Sequence, residues 1–106
     1  MTPKNDIRKI VLLLTIGLCD ALRSKAMSID EAQHYLFSPH TMRLLNHDVE
    51  VRDIIHLCTE FDAIARLVPE HLDEAILDVK RRAEAALRRS PPCDYQQPKW
   101  LNALFV

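Results

Sequence analysis

Apolar residues between Asn5 and Met27 recur at positions 7, 10, 11, 14, 18, 21 and 22. That is the spacing of one face of an α-helix. In the centre of the segment, from Ile10 to Cys19, residues Leu12, Leu13, Ile16 and Cys19 make the opposite face apolar too. A helix that is apolar all round has to be covered all round, so this segment is expected to be the central helix of a small bundle.

Shorter patterns follow in order. Ser28-Ile29-Asp30-Glu31 sets a serine three residues before a glutamate, a capping box in which each side chain satisfies a free backbone N–H at a helix start. It predicts a second helix from Ile29 to about Phe37, with Ile29, Ala32, Tyr35 and Leu36 turned inward. Ser38-Pro39 restarts the chain, because serine caps and proline fits the first helical position, where its missing N–H costs nothing. The third helix is expected from His40 to Asn46, burying Met42, Leu44 or Leu45. Asp48 then caps a fourth helix, Val49 to Val68, apolar at 51, 54, 55, 58, 61, 65 and 68 and ended by Pro69.

The fifth helix, Glu70 to Arg89, has one narrow apolar face of Leu72, Ala75, Ile76, Val79, Ala83, Ala86 and Leu87. Its acids (Glu70, Asp73, Glu74, Asp78) come early and its bases (Lys80, Arg81, Arg82, Arg88, Arg89) late, an order that complements the helix dipole. Ser90-Pro91-Pro92 stops it. Alternating runs and Asn-Gly turns are missing throughout. The fold class is therefore all-α: a compact single-domain bundle of about five helices around the apolar N-terminal one, residues 1–90. A proline-containing tail follows, residues 91–106, with Trp100, Leu101, Leu104 and Phe105 on one face if helical. The tail is expected to pack on the bundle.

Composition narrows the function. The chain of 106 residues suits one domain. Its one glycine leaves no phosphate-cradling loop, and a formal charge of −1 argues against nucleic acid and anionic lipid as partners. Cys19, Cys58 and Cys93 form no C-x-x-C pair, and Cys19 and Cys58 fall on apolar stripes as small buried hydrophobes do. A reduced, cytoplasmic protein is expected. Lys4, Arg8 and Lys9 ahead of the apolar run have the form of a secretory leader, with Ser24-Lys25-Ala26 at a cleavage-like spacing. Asp20, Arg23 and Lys25 before that point, and the helical period continuing through Leu22, argue against export. Ten apolar residues are also too few to span a bilayer.

Candidate chemistry is sparse. His34, His40, His47, His56 and His71 show no metal-ligand spacing; His56 and Glu60 stand at i, i+4 as a surface pair. No Ser-His-Asp or Cys-His set can be assembled, so no catalytic residue, metal or cofactor is expected. Three binding surfaces are. The starts of helices four and five carry Asp48, Glu50, Asp53, Glu70, Asp73 and Glu74, an acidic patch suited to a basic protein partner. Trp100 and Phe105 are an aromatic anchor if the tail stays exposed. Glu31 to Leu45, reading E-A-x-x-Y-L then S-P-x-T-x-R-x-L, resembles the helix-turn-helix of excisionase-like and MerR-like DNA-binding proteins. That resemblance implies that His40, Thr41 and Arg43 face DNA. The turn is one residue shorter than in those families, and Phe37 stands where they have glycine.

Met27 to Pro39, the preceding Ile16-Gly17-Leu18, Ile54 to Leu57 and Val68-Pro69 together resemble a family of short all-helical bacterial proteins without an assigned activity. The likeness covers roughly Ile7 to Leu87 and implies an all-helical single domain, with no catalytic residues to carry over. In style such proteins are similar to bacterial immunity proteins. The expectation is a non-catalytic protein-binding module that neutralises a cognate toxin, with a homo-oligomer as the other assembly expected and DNA binding through Ser38–Leu45 as the alternative.

Overall fold

Every regular element is helical among the residues described in the computed structural model, 4–92 and 105. The order is α1 (Lys4–Arg23), α2 (Ile29–Tyr35), α3 (Pro39–Leu44), α4 (Val49–Thr59), α5 (Phe61–Leu67), a 3-10 turn (Pro69–His71) and α6 (Leu72–Arg89). The all-α class holds. The aromatic tail reading at Trp100 falls outside the described residues.

The two long helices, α1 and α6, run antiparallel side by side. Arg8 meets Ser90, Asp20 meets Lys80 and Arg23 meets Asp73, so the sequence numbers fall along α6 as they rise along α1. Ala83 and Ala86, both fully buried on α6, present little side-chain bulk to their neighbours. Ile76 and Val79 complete the buried face, as the periodicity of this helix predicts. Short helices α2 to α5 cover the remaining side of the core, which centres on Leu12, Ile55, Val51, Phe37 and Phe61. The Phe37 and Phe61 rings meet edge to face, with centroids 6.0 Å apart and planes at 79°, the arrangement the ring quadrupoles favour.

Caps and breaks explain the boundaries. Ser28, Ser38 and Asp48 each accept a hydrogen bond from the backbone N–H three residues on, as their positions in the sequence predict. Helix α2 ends two residues earlier than expected, so Tyr35 is exposed while Leu36 and Phe37 turn inward. At the end of α3, Leu44 is exposed and Leu45, the residue that follows, is buried. The expected single helix from Val49 to Val68 is two. The Glu60 N–H bonds the carbonyl of Leu57, and the Thr59 hydroxyl donates to the carbonyl of His56 at 2.6 Å. The backbone i−3 bond tightens the chain by a fraction of a turn, and α5 restarts with Phe61 buried.

Helix α1 departs furthest from expectation. Its buried face is Leu12, Thr15, Cys19 and Leu22, and the stripe on the opposite side is left open. Leu13 is 57% and Leu14 47% exposed, and Gly17 between them is exposed with nothing within 4 Å of where a Cβ would stand. The helix is therefore covered on one side, not all round. Thr15 enters the core because its hydroxyl donates to the carbonyl of Val11 at 2.8 Å, leaving no polar group unpaired. The helix ends in a Schellman arrangement: Ala26 N–H bonds the carbonyl of Ala21 at 2.9 Å and Lys25 N–H that of Leu22 at 3.2 Å. This places Lys25 at φ 62°, a position that favours glycine.

Candidate partner-binding surfaces

The outer stripe of α1 is Ile10, Leu13, Leu14, Gly17 and Ala21. Steps of 3 and 4 residues keep these positions on one face. Of the other large exposed apolar side chains, Tyr35, Leu44 and Leu67 are the last residues of α2, α3 and α5, Val49 is the first of α4 and Val68 follows α5, while Phe105, expected as part of an aromatic anchor, is exposed beyond α6. Only α1, among the described helices, exposes two leucines in mid-helix. Sequence reasoning treated this run as wholly covered, and the signal it passed over was a glycine inside a strong helical pattern.

A polar network closes the end of the bundle where α1 begins. Arg8 donates from Nε to the Ser90 hydroxyl at 2.9 Å, from Nη1 to both Asp48 carboxylate oxygens at 2.8 and 2.9 Å, and from Nη2 to Glu50. Arg89 pairs with the other oxygen of Glu50. One arginine thus ties α1, the cap of α4 and the end of α6. Burial works against the Arg8 charge, but the hydrogen bonds to Asp48 and Glu50 outweigh it and hold the guanidinium above its ordinary pKa. The hydrogen bond from Arg8, opposed by partial desolvation and reinforced by Arg89, holds the Glu50 carboxyl below the usual range. Asp48 and Glu50 are therefore neutralised within the fold.

The remaining acids lie elsewhere. Asp73 pairs with Arg23 at 3.0 Å at the opposite end of α6, beside the exposed Glu70 and Glu74. The eighteen residues of α6 span about 27 Å, so Asp48 and Glu50 do not share a surface with Glu70, Asp73 and Glu74. Asp53 stands one turn into α4. The structure divides the expected acidic patch between two ends of the bundle.

Two clefts adjoin α4. The larger, about 660 Å³, is an open hollow lined by Pro39, Met42, Arg43, Asn46, Arg52, Asp53 and His56. In it Arg52 donates to the Asn46 side chain at 3.0 Å and stands 3.7 Å from Asp53. The smaller, about 220 Å³, lies between α4 and α6 and includes Glu50, Asp53, Arg82 and Arg89. Of the residues assigned to DNA, His40 and Arg43 are exposed, while the Thr41 hydroxyl is taken up by Ser38 at 3.2 Å. His56 and Glu60 form the expected surface pair, 3.4 Å apart.

Cys19 and Cys58 are free thiols with no exposed surface. Burial pushes the Cys58 thiol far up, and a hydrogen bond to Cys19 adds to it, which disfavours the reactive thiolate at Cys58. Among the described residues no three His, Cys, Asp or Glu side chains converge to hold a metal ion, and no helix is long and apolar enough to cross a membrane.

These features define a small all-helical scaffold whose most unusual surface is an apolar helix face. The chain belongs to the family described as "Protein of unknown function (DUF3969)", whose profile matches residues 2–102. No curated protein and no solved structure matches it.

Proposed function

We propose that this chain works by binding another protein rather than by catalysis, and that the outer face of α1 is where it binds. One observation carries the reading: Leu13 and Leu14 stand about half exposed in the middle of the first helix, where solvent-facing positions of a monomer are ordinarily polar. Exposed apolar surface of this kind marks an interaction site. Neutralisation of a basic toxin domain is a finer version of the reading. It draws on Glu70 and Glu74, the two acids of the expected patch that make no ion pair among the described residues. The experiment is co-purification of the tagged full chain with the product of the neighbouring gene, repeated with Leu13→Lys/Leu14→Lys. Capture by the wild type and loss in a variant of unchanged helix content supports the reading. Equal capture by both removes α1 as the binding face.

DNA binding through α3 is the second reading, favoured by Arg43 and Arg52 lining one cleft. It expects salt-sensitive binding to upstream DNA that Arg43→Ala weakens. A gel-shift assay at low salt with no retarded band disposes of it.

A further inference from the structure

We propose that the occupant of the α1 face is a second copy of this chain, packed as an antiparallel α1–α1 pair; this rests on the preceding reading of α1 as a binding face. Three observations point to it. First, Ile10, Leu14, Gly17 and Ala21 follow steps of 4, 3 and 4 residues, the seam spacing by which two helices pack along their length. Secondly, the seam is self-complementary. A two-fold axis crossing α1 between Thr15 and Ile16 sets Leu14 of one copy against Gly17 of the other, and Ile10 against Ala21. Each larger side chain then meets a small one. Gly17 has no neighbour of its own within 4 Å of a Cβ, so the space it leaves is open to the other copy's leucine.

Thirdly, the rim carries matched charge. Lys9 and Asp20 are eleven positions apart, three full helical turns, and so lie on one edge of the stripe. The same two-fold keeps both on that edge and brings Lys9 of each copy within a turn of Asp20 of the other. Asp20 is free to take part: its side chain remains 53% exposed although Lys80 holds one oxygen at 2.9 Å. Lys9 is anchored beside the seam, with its ammonium on the Pro91 carbonyl at 3.0 Å. A parallel two-fold pair would carry the two Lys9–Asp20 edges to opposite sides of the seam, where the cross-pair does not form, so charge favours the antiparallel arrangement. The stripe spans about 16 Å of helix, a short seam, so the dimer is a weak one.

Analytical ultracentrifugation of the full chain across the micromolar range tests the proposal. The wild type is expected to pass from monomer to dimer, and Leu14→Lys to raise Kd at least tenfold with unchanged helix content. Register is read by mixing Leu14→Cys and Gly17→Cys chains, each in a Cys93→Ser background, and oxidising with diamide. The mixture is expected to give a covalent dimer that neither chain gives alone in comparable yield. A wild type that stays monomeric to ~200 μM overturns the dimer. In that event, loss of the neighbouring gene product by Leu13→Lys/Leu14→Lys leaves the binding reading standing with a different occupant, and undiminished capture ends both. A monomer whose Trp100 fluorescence shifts on Leu14→Lys assigns the face to the chain's own tail and likewise overturns the second copy.

Discussion

Lys25 holds a backbone conformation that costs an L-residue about 1–2 kcal/mol, and it does so only to complete the hydrogen bonds that end α1. Lys25→Gly is expected to stabilise the fold by about 1 kcal/mol, part of the strain relief being offset by the freer unfolded chain. Thermal unfolding followed by circular dichroism checks this, with a rise of about 4–8 °C. Gly17 is the converse case. With nothing within 4 Å of a Cβ, Gly17→Ala should raise the stability of the monomer by about 1 kcal/mol through helix propensity alone, measured in urea at a concentration well below any association. At this scale the sequence announced the caps, because Ser28, Ser38 and Asp48 act on neighbours three residues away. It hid Thr15, whose polarity argues for solvent and whose burial depends on a bond to its own helix.

Among the elements, the join of α1, α4 and α6 depends on Arg8. Arg8→Ala removes the charged partner of the partly buried Asp48, which keeps only its cap bond from the Val51 N–H, and the donor to the Ser90 hydroxyl, which keeps only its own bond to the Ala86 carbonyl, so a loss of about 2 kcal/mol is expected from chemical denaturation. Glu50 gives that join a pH dependence. Its carboxyl is held below the ordinary 4.5, so the stabilisation is complete above that value and is lost as pH falls through the folded-state pKa. Glu50 is 42% exposed and screened accordingly, which limits the effect to below ~1 kcal/mol. Glu50→Gln should lower stability near neutrality and flatten the curve below pH ~4.5, read by urea unfolding across pH. Where α2 and α5 meet, Phe61→Ala removes one of the two edge-to-face rings from a site 1% exposed and should cost about 3–5 kcal/mol. Helix α6 was legible except for its start, where the expected first residues Glu70 and His71 lie in the 3-10 turn after Pro69; its apolar face is narrow and its burial follows the 3.6-residue period. The break at Glu60 was not, because apolar spacing runs straight through Cys58 and Phe61; what marks the split is local, a backbone bond from Glu60 to Leu57 and a side-chain bond from Thr59 to His56.

For the whole molecule, periodicity identified an all-helical domain but could not orient α1. A helix with apolar residues on every side offers no contrast from which to read its inner face, and the answer, Leu12, Thr15, Cys19 and Leu22, came from how α6 and α4 pack upon it. The acidic surface failed for a related reason. Asp48 and Glu70 both open helices, yet which ends of a bundle lie together is set by topology, and α6 separates them.

The two buried sulfurs carry a use of their own. Cys19 belongs to α1 and Cys58 to the end of α4, and neither has surface to offer a reagent. In a Cys93→Ser chain, an alkylating probe such as iodoacetamide should therefore modify these positions only when the two helices part. Mass spectrometry of the labelled protein over time would then act as a clock on opening of the fold. Both sites labelling together would report one cooperative event, and Cys58 labelling first would show that α4 lets go before α1 does.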